Sequence, residues 1–269
     1  MKGKHTQLLK DKVALVTGSS RGIGAGIVRL FAQHGAKVAV HGRDVPALTA
    51  VRADIERNGG HAICVTADTT KLNEIEALRR QIEEQLGPID ILVANAGGNY
   101  AMPGPLESIG EDGWRLSIDG NLTATFFSLK SFLPGMKERR RGSIVTISSA
   151  AARRAHPATP IPYAAAKAGI ILMTQHLATQ VGPFNIRVNC ITPETILTEN
   201  NRERITEMQQ ATLAEAHPLR RLGTVEDVAQ AALYLASDNA SWVTGVVLDV
   251  AGGPSCCEPQ RPRSMWDEL

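Results

Sequence analysis

The sequence predicts an α/β protein: one domain built on a doubly wound parallel sheet, with helices on both faces. Three observations predict it. Seven short apolar runs recur along the 269 residues, helical patterns separate nearly all of them, and the runs are apolar at successive positions. Strands covered on both faces read that way, and strand–helix alternation is the pattern of a parallel sheet. A chain of this length with 43% apolar residues can bury one large core.

The first run, Val13 to Val16, leads into T-G-S-S-R-G-I-G, after which Ile23, Ile27, Leu30 and Phe31 recur at helical spacing. Gly18, Gly22 and Gly24 therefore sit where a helix begins and free backbone N–H groups point outward. Such a turn is an anion site suited to a pyrophosphate, because a side chain would hold the phosphate off the backbone. Its spacing is G-x-x-x-G-x-G, not the commoner G-x-G-x-x-G.

The second run, Val38 to Val40, ends in His41-Gly42-Arg43, and Asp44 with Pro46 reads as a helix N-cap and an early-turn proline. Ala62 to Val65 is the third, followed by Asp68, which from the residues alone reads as a cap for a helix from Lys71. Ile91 to Val93 precedes Asn95-Ala96-Gly97, and Ile144 to Ile147 precedes Ser148-Ser149. Ile186 to Ile191 leads to Pro193-Glu194, and Val246 to Val250 closes the series. The marked residues thus follow strand ends, where ligands bind in sheets of this kind. Thr195 to Arg221 reads as a flap over the site, with one helical piece around Arg204 to Ala214. The expected organisation is an N-terminal extension at 1–11, one domain at 12–253 and a C-terminal tail at 254–269, in which Trp266 is a candidate docking residue.

Tyr163 and Lys167 lie four residues apart, so one helix face carries both a phenol and an ammonium. A cation about 4 Å from the phenol, at an effective dielectric of about 20, favours phenolate by roughly 4 kcal/mol before desolvation. That makes tyrosine a usable general acid or base.

Bulk properties exclude several classes. The formal charge is +2 and basic residues are spread along the chain, giving no field for nucleic acid or a membrane surface. No run reaches the ~18 apolar residues of a membrane span, and the first ten residues lack a signal-peptide core, so a cytoplasmic protein is expected. Arg139-Arg140-Arg141 reads as a solvated helix end facing the C-terminal dipole, the competing reading being a landing patch for an acidic carrier. Cys64, Cys190, Cys256 and Cys257 read as thiols, the histidines as surface or packing residues, and no metal site is expected.

Taken together, Thr17-Gly18-x-x-x-Gly22-Ile23-Gly24, Asn95-Ala96-Gly97, Ser149 and Tyr163-x-x-x-Lys167 resemble the short-chain dehydrogenase/reductases from about Lys12 to Gly253. The resemblance implies a Rossmann-type fold and a hydride exchange between a nicotinamide and a carbonyl carbon. It assigns Tyr163 as the acid that protonates the carbonyl oxygen, and Lys167 as the residue that lowers its pKa and holds the nicotinamide ribose. Ser149 becomes a donor to the same oxygen, and Asn121 orders a water beside the lysine for proton supply, the competing reading of Asn121 being an interior helix asparagine satisfied by backbone groups. Ser148 is the rival serine, but neighbouring strand residues face opposite ways and the second serine matches the family position.

For the cofactor, the resemblance implies contacts from Gly18, Ser20, Arg21, Gly22, Ile23 and Gly24 in the first turn. Further contacts come from Asp68 at the adenine, from Asn95, Ala96 and Gly97 after the fourth strand, and from Tyr163 and Lys167. Pro193, Ile196 and Thr198 follow the sixth. Arg43, with Arg21, stands where an extra ribose phosphate is read, which favours NADP(H) over NAD(H), with Asp44 the competing signal.

Two departures from the family pattern stand out. Ser149 and Tyr163 are fourteen residues apart, about one more than is common, with Arg153-Arg154-Ala155-His156 between them. Glu194 follows Pro193 where the family usually has glycine. The expected function is an NADPH-dependent carbonyl reductase most like the 3-oxoacyl-carrier-protein reductases, with a small-molecule substrate, an acyl carrier protein as its carrier, and a homotetrameric assembly. The alternatives are an NAD(P)-linked sugar, polyol or other secondary-alcohol dehydrogenase and, from another class, a non-catalytic NADPH-binding redox sensor.

Overall fold

The computed structural model describes residues 7–156 and 158–253. The expected tail, with Cys256, Cys257 and Trp266, lies outside the described residues. Among these, the strands are β1 Val13–Val16, β2 Lys37–Gly42, β3 His61–Thr66, β4 Ile91–Ala94, β5 Gly142–Ile147, β6 Ile186–Pro193, β7 Ile196–Leu197, β8 Gly223–Thr224 and β9 Val247–Val250. The helices are α1 Gly22–Gln33, α2 Val45–Arg57, α3 Leu72–Leu86, α4 Glu111–Ile118, α5 Ala124–Arg139, α6 Ile161–Val181, α7 Glu199–Arg204, α8 Glu207–Ala216 and α9 Val225–Ala236.

Seven strands form one parallel sheet in the order β3-β2-β1-β4-β5-β6-β9, the doubly wound topology that the element order predicts. Strand order reverses between β1 and β4, which opens a crevice beyond their carboxyl ends. Each strand feeds both faces because successive side chains alternate. In β1, Ala14 and Val16 pack in the cluster of α1, α2 and α9, while Val13 and Leu15 pack in that of α3, α5 and α6. The close approach of α1 and α9 depends on Gly26, where a Cβ would lie 2.1 Å from Val225 Cγ1.

Three local features differ from the sequence expectation. Leu9 is fully buried in the first cluster and its amide donates to His34 O at 3.0 Å, so the expected extension contributes to the core. The flap holds two helices where one was expected, because Ile205 turns extended and Thr206 with Gln209 forms a capping box that starts α8. The three arginines at the end of α5, Arg139 to Arg141, do not simply point to water. Arg139 donates to Ile89 O at 2.6 Å, Arg140 to Pro183 O at 2.7 Å, and Arg141 Nε to Asp90 Oδ1 at 3.0 Å.

Candidate active site

The glycine turn is held from three sides. Asn95 Nδ2 donates to the carbonyls of Thr17 (2.9 Å) and Gly18 (3.1 Å), and Thr17 Oγ1 accepts from the amides of Asn95 and Ala96 at 3.0 Å each. The loop after β4 is thereby fixed against the loop after β1. Gly18 and Gly22 have φ of +66° and +56°, in the left-handed region that favours glycine. A Cβ on Gly24 would lie 2.4 Å from Gly18 O and 2.6 Å from Asn95 Nδ2, so any larger residue would break that junction. Ser20 lies beneath Gly42, where a Cβ would approach its Oγ to 3.1 Å, and Ile23 packs on the apolar cluster below.

Two contacts test whether an anionic cofactor fits this turn. The Gly22 amide donates to Glu199 Oε2 at 3.2 Å, so this amide faces outward and is matched to an anionic oxygen. Thr198, the N-cap of α7, packs its Cγ2 within 3.4 Å of where a Gly22 Cβ would be. The start of the flap therefore lies over the turn. Ile196 accepts from Asn201 Nδ2 at 2.7 Å, which holds that segment in place.

At the end of β2 the side chains divide their work. Asp44 caps α2 by accepting from the Ala47 amide at 3.1 Å and also pairs with Arg21, while Arg43 is exposed. The sequence reading of Asp44 as a cap holds. The reading of Arg21 as a second cation is modified by its carboxylate partner. Asp68 does not cap α3. Its Oδ1 accepts from Thr70 N at 3.0 Å and Thr70 Oγ1 at 2.7 Å, and the Thr70 amide contact is the main cause that holds its carboxyl low.

Beyond β5 the two serines separate as expected for neighbouring strand residues. Ser148 is buried and donates to Lys167 O at 2.7 Å, whereas Ser149 caps the short turn Ala150–Ala152 by accepting from the Ala151 amide at 3.2 Å, with its hydroxyl on the side of the Tyr163 phenol. Desolvation raises the phenol above its ordinary pKa of 10.0, and the neighbouring Ser149 hydroxyl opposes that rise. Lys167 is buried and pushed down to about 8 by desolvation. Its Nζ donates to Ile147 O at 3.0 Å and lies 5.7 Å from the Tyr163 ring centroid. Burial is the main influence on the phenol and raises its pKa, where the four-residue spacing had suggested a downward pull from the ammonium.

Asn121 sits in a wide π-helical turn, Asp119–Thr123, between α4 and α5, a form often found at functional sites. It donates to Gly98 O (2.9 Å) and Ser117 O (2.8 Å) and accepts from Gly98 N (3.2 Å). A Cβ on Gly97 would lie 2.5 Å from Asn121 Oδ1 and 3.3 Å from Lys167 Nζ. Asn121, Gly97 and Lys167 therefore meet in one place. Pro193 ends β6, and Glu194 turns to Arg154 at 2.7 Å. Sequence reasoning missed His41, which it left among the scattered histidines, and Glu199 at the turn.

A family model described as enoyl-(acyl carrier protein) reductase matches residues 18–255. The 3-oxoacyl-[acyl-carrier-protein] reductase of Chlamydia muridarum (strain MoPn / Nigg) is 39% identical over 247 residues, 91% of this chain and 98% of that protein. The chain belongs to the short-chain dehydrogenase/reductase family. As such it is an NAD(P)-dependent oxidoreductase acting between CH–OH and C=O groups. Among solved structures, a 7α-hydroxysteroid dehydrogenase complexed with NADH and 7-oxo glycochenodeoxycholic acid is 36% identical, with a TM-score of 0.87 over 94% of this chain and 98% of that one. A gluconate 5-dehydrogenase from Burkholderia cenocepacia J2315, in complex with NADP and tartrate, is 29% identical with the same TM-score and coverage.

Proposed function

We propose that the chain reduces a ketone to a secondary alcohol with NADPH, and that Tyr163 delivers the proton to the carbonyl oxygen. The observation that carries this reading is the desolvated Tyr163 phenol on the same helix face as buried Lys167, with Ser149 beside it. A phenol whose pKa is raised holds its proton at neutral pH, which is the state a general acid needs in the direction of reduction. Ser149 donates to the same oxygen, and Lys167, anchored on Ile147 O, presents its charge along the tyrosine ring. Asn121, bonded to Gly98 and beside Lys167, fixes the polar end of that group.

The groups that would hold the cofactor are the turn from Gly18 to Gly24 with Ser20, Arg21, Gly22 and Ile23, and Arg43, Asp68, Asn95, Ala96, Gly97, Pro193, Ile196 and Thr198 around it. When bound, the reduced nicotinamide supplies the hydride. Exposed Arg43 at the exit of β2 supports the phosphorylated form.

A 3-oxoacyl thioester is the proposed substrate, supported by the relative of that name. A sugar or polyol substrate is the second reading, supported by the gluconate dehydrogenase. Turnover of an acetoacetyl thioester, compared with that of glucose and simple ketones, separates them. Tyr163→Phe is the test of the chemistry: hydride transfer should vanish while NADPH binding persists, and retained turnover would remove the acid. We also propose a homotetramer, since α4, α5 and α6 expose Trp114, Leu116, Phe126 and Leu172. Sedimentation would test it.

A further inference from the structure

The turn that starts at Ser149 is short, and two adjacent arginines hold its far end. The amides of Arg153 and Arg154 donate to Ala150 O at 3.0 and 3.2 Å. Their guanidiniums reach different strand exits. Arg153 Nη1 donates to both carboxylate oxygens of Asp249 on β9, at 2.9 and 2.8 Å. Arg154 Nη2 donates to Glu194 Oε2 at 2.7 Å, just past β6. Both carboxylates are themselves fixed. Thr192 Oγ1 bonds Asp249, and the Glu194 amide donates to Val250 O at 3.2 Å.

We propose that Arg153 and Arg154 form a two-armed clamp that positions Ser149 for catalysis by tying its turn to the exits of β9 and β6. The proposal rests on the reading of Ser149 as a donor to the substrate oxygen. The longer connection between Ser149 and Tyr163, which carries the arginines, and the carboxylate at 194 are two halves of one device. A glycine at 194 would leave Arg154 without that partner. Each pair is between about a third and a half exposed at its arginine, with side-chain exposures of 48% for Arg153 and 37% for Arg154. Exposed pairs add little to global stability. Their consequence is local, because a small displacement of an aligned group lowers rate far more than it lowers stability.

The test measures kcat, NADPH affinity by fluorescence titration and Tm for Arg154→Gln, Glu194→Gln and their double mutant, in the native and Ser149→Ala backgrounds. In the native background each single change should lower kcat by roughly ten-fold, with NADPH affinity and Tm little altered. The double mutant should be no worse than either single change. The charge-swapped pair Arg154→Glu with Glu194→Arg should recover most of the loss. In the Ser149→Ala background, Arg154→Gln should cost nothing further. An undiminished loss there would show that the clamp does not act through Ser149, and additive losses would show that the two residues do not act as a pair. A fall in Tm that accounts for the fall in kcat would reduce the clamp to a stability element. Full turnover by Ser149→Ala alone would instead overturn the active-site reading, and the clamp with it.

Discussion

The backbone amide of Gly18 donates to Nδ1 of His41 at 3.0 Å, so the phosphate-type turn after β1 is held by an imidazole at the end of β2. Nε2 of the same ring lies 3.2 Å from Ala67 O. With Nδ1 accepting, Nε2 must carry the proton and donate, which fixes one neutral tautomer. The backbone reinforces the link: the His41 amide donates to Ser19 Oγ at 2.9 Å, and the Ser19 amide donates to His41 O at 2.8 Å. Burial pushes the imidazole from 6.5 down to about 4, with Arg43 pushing the same way and the Ala67 bond and Asp68 opposing.

Acid should therefore weaken the fold through His41. Between pH 6.5 and about 4 the unfolded chain binds a proton at this site that the folded chain refuses, so stability falls as pH drops through that window. The difference amounts to about 3 kcal/mol once pH 4 is reached. His41→Asn keeps a short acceptor near Gly18 and cannot ionise. Urea midpoints should fall steeply with acid in the native protein and less steeply in the variant; parallel slopes would rule out His41 as the titrating group.

The two adjacent serines should fail in different ways. Ser149→Ala should lower kcat by about a hundred-fold or more, as removal of a donor to a reacting oxygen does, with little change in Tm. Ser148→Ala removes a buried donor to Lys167 O and should lower stability by about 1 kcal/mol, with a smaller effect on kcat. Paired kinetics and thermal melts check both. A larger kinetic loss for Ser148→Ala would exchange the two roles.

Gly97→Ala should damage cofactor binding and chemistry together. The added methyl would press on Asn121 Oδ1 at 2.5 Å and Lys167 Nζ at 3.3 Å, two of the groups proposed for proton supply. Since Asn121 also bridges to Gly98 through two hydrogen bonds, it has little room to yield. NADPH affinity and kcat should both fall while circular dichroism stays native. Unchanged kinetics would mean that Asn121 and Lys167 need not stay where they are for turnover.

The seven sheet strands were legible because burial on both faces leaves an unbroken apolar run, and the site's location followed from their order. Local chemistry was legible too, as at Asp44, where cap and proline are neighbours in sequence. What sequence could not give was pairing across distance. Arg154 meets Glu194 forty residues on, and Gly22 meets Glu199 across 177. The spacing of Tyr163 and Lys167 put both on one helix face, but only the fold shows the ammonium drawn to Ile147 O. His41 carries no local signal at all, since its meaning lies in the Gly18 amide that it accepts.

Cofactor choice should turn on Arg43, with Arg21 held in reserve by Asp44. Arg21 is paired to the Asp44 carboxylate, and the same carboxylate caps α2, so Arg21 meets an added phosphate only by sharing or losing its partner. Arg43 is exposed at the exit of β2. A hydrogen bond to a charged group contributes about 1.5–3 kcal/mol, and tenfold in affinity corresponds to about 1.4 kcal/mol, so Arg43→Asp should move the NADPH-to-NADH ratio of kcat/KM by roughly ten-fold or more towards NADH. Arg21→Ala should move it less. Asp44→Asn keeps an oxygen to cap Ala47 but removes the charge that holds Arg21, and should strengthen the preference for NADPH. Kinetics with both cofactors decide it: an unchanged ratio in Arg43→Asp would mean that this arginine does not read the phosphate, and an unchanged ratio in Asp44→Asn would leave Arg21 with no part in the choice.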